Sequence, residues 1–240
     1  MRWFALLPVA LLAVVLTYYV DRCSSSSDRF YDRVAESYRQ KAAELRAEGK
    51  TALAEEYLAH AIRAQAASTK DDRAAAADLR RELASLRMSA DDLAGAEKLY
   101  REALELLEGK PRGADAAIIN LRTQLAGLCY RQSRLDEAAD FYRSVLALEV
   151  SSLGEGHPDA LGTMSILGGL ELKRGKLPEA EALFRRQLAG VQKLHGAEKR
   201  ETASVIDNLA DVLEKAGQPA EAARLRDEAK RIRHKLCDEC

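Results

Sequence analysis

Aromatic residues make up only 5% of this 240-residue chain, and there are five prolines and four cysteines. So few aromatics leave little material for the edge-protected sheets of an all-β protein, and β-branched residues are also sparse beyond the first twenty positions. Cys23, Cys129, Cys237 and Cys240 are too few and too scattered to build a disulfide scaffold. Charge of one sign is lacking as well. Lys and Arg number 37 against 38 Asp and Glu, for a formal net charge of -1, so no nucleic-acid partner is expected. No HExxH, GxGxxG, phosphate loop or Ser/His/Asp order is present, and the chain is not expected to be an enzyme or to need a cofactor. What remains is rich in Ala, Leu, Glu and Arg, the composition of helices.

Trp3 to Val20 is an eighteen-residue run without a charge, preceded by Arg2 and followed by Asp21 and Arg22. As a helix it extends about 27 Å, close to the thickness of a bilayer's hydrocarbon core. Trp3 and the Tyr18–Tyr19 pair fall where interfacial aromatics are favoured. Residues 1–20 are therefore read as a transmembrane anchor or signal segment and 21–29 as a Ser-rich linker. Arg2 and the amino terminus favour a cytoplasmic N-terminus, with the remaining chain exported to the periplasm or another extracytoplasmic space. A secreted protein is the alternative if the segment is cleaved, although Tyr18 to Arg22 lack the small residues a cleavage site needs. A lipoprotein is another, because Cys23 precedes four serines.

From residue 30 onward the chain repeats with a period of 42. Ala54, Ala96, Ala138, Ala180 and Ala222 keep that interval, and twelve residues before each stands Ala42, Ala84, Ala126, Gly168 or Ala210. Between them comes Gly49, Asp91, Ser133, Gly175 or Gly217. Leu58, Tyr100, Tyr142 and Phe184 follow four residues after the second alanine, and Arg226 breaks the series. Each unit reads as two amphipathic helices joined at the Gly/Asp/Ser position, the small residues allowing close approach. The spacing predicts pairs at 30–48/51–67, 72–89/92–108, 115–132/135–151, 158–174/177–193 and 200–216/219–236. Pro111 and Pro158 fall between units, and Pro178 and Pro219 in the first turns of second helices. Ser89 with Asp92, and Ser133 with Asp136, read as helix starts.

Leu125-Ala126, Arg134 to Ala138, Tyr142 and the linker Leu153-Gly154-Glu155-Gly156-His157-Pro158-Asp159-Ala160 carry a resemblance to the tetratricopeptide repeat, in the 42-residue form of kinesin light chain. The resemblance covers about residues 30–236 and implies an all-α, right-handed superhelical solenoid of five antiparallel helix pairs after one N-terminal transmembrane helix. Its units fall near 30–68, 72–110, 114–152, 157–194 and 199–236, with a Cys-containing tail at 237–240. It also implies a concave groove, lined by first helices, that binds a peptide or partner protein. Inward residues by that resemblance are Arg39, Gln40, Arg81, Asn120, Gln124, Tyr130, Arg131, Lys173, Asp207, Asn208 and Lys215. Amides among them can both donate to and accept from a peptide backbone. Ile166, flanked by Gly162, Ser165 and Gly169, forms an apolar section with small walls.

The expected function is thus a membrane-anchored interaction module that acts as a scaffold or recruitment factor. Two alternatives stand beside it: an assembly chaperone for a membrane complex, and a redox or metal-handling protein. The latter would use His234, Cys237 and Cys240, whose spacing could supply three ligands to zinc or copper, or a dithiol. An unstructured tail is the simpler reading of those residues. The last helix has a narrow apolar seam at Ala222, Leu225, Ala229, Ile232 and Leu236 among many basic residues, which suits a terminal cap or a basic contact patch.

Overall fold

In the computed structural model the backbone is described for residues 7–68, 72–108 and 115–238, and side chains for 27–68, 72–108 and 115–236. The described residues form ten helices and no strand. They are α1 (Leu7–Ala47), α2 (Thr51–Ala67), α3 (Arg73–Ser89), α4 (Leu93–Leu107) and α5 (Asp115–Arg131). There follow α6 (Leu135–Leu153), α7 (Pro158–Lys173), α8 (Leu177–His195), α9 (Arg200–Lys215) and α10 (Pro219–Asp238). Apart from the start of α1, the observed ends lie within two residues of those the 42-residue spacing predicts.

The linker expected at 21–29 is instead helical backbone continuous with α1. Serine carries only a modest helix penalty, and neither Gly nor Pro interrupts this stretch. Among the described residues no helix is long and apolar enough to cross a membrane. The side chains of the apolar run 3–20 lie outside the described residues.

Helices α1–α4 make one compact unit and α5–α10 a second. In the first, α1 packs on α2, α2 on α3 and α3 on α4; in the second, each helix from α5 to α10 likewise packs on the next. The turns inside the five pairs share one device. Gly49, Asp91, Ser133, Gly175 and Gly217 all sit in the left-handed region, with φ of 76°, 63°, 61°, 73° and 77°. At each, two crossed backbone bonds close the helix end, as in Arg134 N to Cys129 O (2.9 Å) and Ser133 N to Tyr130 O (3.0 Å). That is the Schellman arrangement, which satisfies carbonyls the helix would otherwise orphan.

This turn also corrects the expected helix starts. Ser133 is the left-handed residue itself and Ser89 ends α3, so neither caps the following helix. Asp92 does so for α4, its Oδ1 accepting from Gly95 N at 2.9 Å. Pro158 and Pro219 open α7 and α10 and Pro178 lies in the first turn of α8, where a missing N–H costs nothing.

Each small-residue pair lies in the core: Ala54, Ala96, Ala138 and Ala180 are fully buried, as are Ala84, Ala126 and Ala210. Gly168 takes the small position in the fourth pair because Phe184 fills its space; a Cβ there would lie 2.8 Å from the Phe184 ring. Tyr100 and Tyr142 are buried at the equivalent position, and burial pushes both phenol pKa values up.

One polar network binds α6 to α7. Glu171 is only 1% exposed and accepts from Arg143 Nη2 (2.5 Å) and Arg174 Nη1 (2.6 Å). Arg174 also donates to Asp136 from Nε (2.8 Å) and Nη2 (2.5 Å). Each oxygen of this buried carboxylate accepts from one guanidinium, the kind of partner its burial requires.

Candidate functional site: the exposed face of the first helices

In the second unit, positions spaced 4-3-4 along each first helix share one face. On α5 these are Asn120, Gln124, Gly127 and Arg131; on α7, Gly162, Ile166, Gly169 and Lys173; on α9, Ser204, Asn208, Asp211 and Lys215. None of the twelve is buried. A Cβ added at Gly127, Gly162 or Gly169 would meet nothing within 4 Å, so the face is open at all three. Ile166 stands between two of these glycines with 50% exposure. One end of the face is basic, since Arg131, Lys173 and Lys215 occupy the last position of their helices. The Lys173 ammonium donates to the Tyr130 hydroxyl and lies 4.6 Å from the centroid of that ring. This holds Tyr130, itself 42% exposed, beside the basic row.

The expected groove residues thus divide. Asn120, Gln124, Arg131, Lys173, Asn208 and Lys215 fall on this face, with Tyr130 adjoining it through Lys173. Asp207 does not; it pairs with Arg233 and so turns to α10. Spacing explains this, because position 207 is one residue, about 100°, off the shared stripe. Gly127, outside the expected set, also falls on this face, and its signal in the sequence is its place 42 residues before Gly169.

In the first unit Arg39, Gln40 and Arg81 line a cleft of about 730 Å³ with Arg46, Leu58 and Leu86. Gln40 is exposed. Arg39 crosses from α1 to α3, donating through Nε to Glu82 Oε1 at 3.0 Å, and Glu36 lies 3.8 Å from it. The hydrogen bond to Glu82, with the nearby carboxylates, raises the Arg39 pKa above its ordinary value. Arg81 donates to Asp78 on its own helix at 3.2 Å. Both arginines are therefore half-buried and committed to carboxylates.

For the metal or redox reading, His234 is exposed, while the side chains of Cys237 and Cys240 lie outside the described residues. The Cys129 side chain is buried and packed in the core of the second unit. His157 caps α7, its Nδ1 accepting from Asp159 N at 3.2 Å. His60 stacks on Tyr38 with ring centroids 5.3 Å apart.

The helix pairing, the small-residue contacts and the linker at 153–160 define a class. Two tetratricopeptide repeat models match the chain, over residues 119–159 and 159–234. The tetratricopeptide fold generally mediates protein–protein interaction, and its members are typically non-catalytic scaffolds. Solved structures place the fold more closely. A putative kinesin light chain protein of Podosopora anserina with nearly identical TPR-like repeats is 20% identical at a TM-score of 0.68, covering 86% of this chain and 97% of that one. BtubC (BKLC) from P. vanneervenii is 20% identical at 0.65, covering 89% and 92%. YrrB, described as a TPR protein with an unusual peptide-binding site, is 14% identical at 0.55, covering 81% and 84%. At these identities the likeness concerns the fold. No curated protein matches the sequence.

Proposed function

We propose that this protein is a membrane-anchored interaction scaffold that holds a segment of a partner protein against the first helices of its second unit. The observation that carries the reading is the face built by α5, α7 and α9: an exposed isoleucine among open glycines, amides on both sides, and a row of three cations along one end. The amides Asn120, Gln124 and Asn208 suit the backbone of an extended peptide. Ile166 takes an apolar side chain, and Arg131, Lys173 and Lys215 favour a segment with carboxylates along the corresponding edge. Arg39, Gln40 and Arg81 extend the reading to the cleft of the first unit, with the arginines serving there through their carboxylate pairs.

Affinity isolation of the intact protein after crosslinking, followed by mass spectrometry, identifies the partner. Gln124→Ala with Asn208→Ala is then expected to weaken its binding by about 1–3 kcal/mol, with unchanged circular dichroism. Normal binding by that double variant, with loss on substitution elsewhere on the surface, refutes the face as the binding site.

Anchoring through residues 3–20, with the repeats exported, belongs to the same proposal and rests on the length and neutrality of that run. Alkaline carbonate extraction should leave the protein in the membrane with its N-terminus intact. A soluble product that starts near residue 21–28 refutes the anchor, and a lipid-modified Cys23 assigns a lipoprotein instead.

A further inference from the structure

The 42-residue frame makes one buried position comparable across the chain. By that spacing residue 149 corresponds to Leu107 and Val191, and residue 163 to Leu121 and Val205; of these, Val191 lies on α8 and Val205 on α9, which pack on each other. All four of those aliphatic residues are buried, and Val191 and Val205 belong to one apolar cluster. Between α6 and α7 the same two positions hold Glu149 and Thr163 instead, 5% and 7% exposed. The neighbouring Thr163 favours the ionised form of the Glu149 carboxyl, but Glu149 Oε2 has no hydrogen-bond partner, and among the described residues no ion pair with a guanidinium or ammonium serves it. The contrast with Glu171 lies within the same joint: that carboxylate is buried too, yet two arginines serve it.

We propose that the α6–α7 joint is a proton-operated hinge, in which Glu149 holds a proton when the joint is closed and its ionisation loosens α7 from α6. The Glu171–Arg143–Arg174 network pins one end of the joint, near the C-terminus of α7. Glu149 and Thr163 sit near the other end, toward the N-terminus of α7. An ionised carboxylate whose Oε2 lacks a donor, inside packing that is aliphatic in the next joint, is disfavoured. Among the described residues the ionisable groups acting on Glu149 come from the start of α7: Asp159, which opposes ionisation, and His157, which favours it. Desolvation is the larger influence and raises the Glu149 pKa. The stabilising contribution of the protonated group is therefore complete below the ordinary glutamate range and is lost as pH rises through the raised value. Because α7 also carries Ile166 and Lys173, release of this end moves the exposed face described above. The hinge does not depend on that face being a binding site.

The test compares full-length wild type with Glu149→Gln and with the double variant Glu149→Val/Thr163→Val, which copies the Val191–Val205 pair. Asp159 and His157 remain in all three proteins, so their titration cancels in the differences. Between about pH 5 and about pH 8 the thermal midpoint of wild type should fall by about 2–6 °C more than that of either variant. At matched high pH, hydrogen exchange across α6 and α7 should be several-fold faster in wild type than in the double variant, and near equal at low pH. Should Glu149→Gln fail to fold, the double variant alone carries the comparison. Differences in midpoint and exchange that stay constant over this pH range overturn the proposal.

Discussion

A carboxylate as buried as Glu171 is stable only while its guanidinium partners remain. Glu171→Ala removes the charge that Arg174 was placed to meet, and Arg174 is itself only 13% exposed. Breaking a buried pair in this way costs about 3–5 kcal/mol, which urea denaturation would read as an earlier transition of the second unit. Asp140→Ala provides the comparison, since Asp140 also pairs with Arg143 but is 73% exposed. That change should leave stability within about 1 kcal/mol of wild type. Sterics decide the outcome at Gly168. Alanine there gains helix propensity but drives a Cβ into the Phe184 ring, and the clash exceeds the gain. Gly168→Ala is expected to lose about 1–2 kcal/mol. Phe184→Leu should recover part of that loss in the double variant, a non-additivity that a double-mutant cycle measures directly.

Among the elements, the turns inside the helix pairs impose the same left-handed residue five times, yet only three of the five are glycine. Asp91 and Ser133 bear the cost of a Cβ in that conformation. Asp91→Gly and Ser133→Gly should each stabilise the protein by about 0.5–1 kcal/mol, because the relief exceeds the added freedom of the unfolded chain. The same changes outside the turn, at Ser89 or Asp92, lack that benefit; Asp92→Gly instead removes the cap of α4.

These turns were legible in the sequence because they recur in register with the small residues, and so were the ends of nearly all the helices. The continuation of α1 through 21–29 was not legible, since serine is compatible with either helix or linker. Nor was the Asp136–Arg174–Glu171–Arg143 network, whose two links between α6 and α7 span 28 and 38 residues. Arg39 was read as an open groove residue because spacing shows a face but not an ion partner 43 residues away. Glu149 and Thr163 were passed over for a different reason. A periodic reading looks for what repeats, and these two residues matter because they do not.

At the scale of the whole molecule, α10 shows how a single helix can bury one side and leave the other to water. Ala222, Ala229 and Ile232 are buried against the preceding helices, with Leu225 and Leu236 half-buried beside them. Three of its six Lys and Arg residues are turned back: Arg226 donates to Asp211 at 2.8 Å and also to Glu214, Arg233 pairs with Asp207, and Lys235 with Glu198. Arg226 stands where earlier pairs place a leucine or an aromatic ring, and it reaches carboxylates on α9 instead of apolar neighbours. The helix therefore acts as a lid on α9, held by both its apolar seam and these ion pairs. Ending the chain after residue 217 would uncover Ile206, Val212 and Leu213, all now at 1% exposure or less. Such a chain should lose the helicity of α9 as well as of α10, and expose enough apolar surface to self-associate. The core of α1–α3, which contains no residue of α9 or α10, should melt as before. Circular dichroism and light scattering on the shortened chain check both halves of this expectation. Retention of α9 in a monodisperse product would show that the last pair is stabilised from within and does not need its lid.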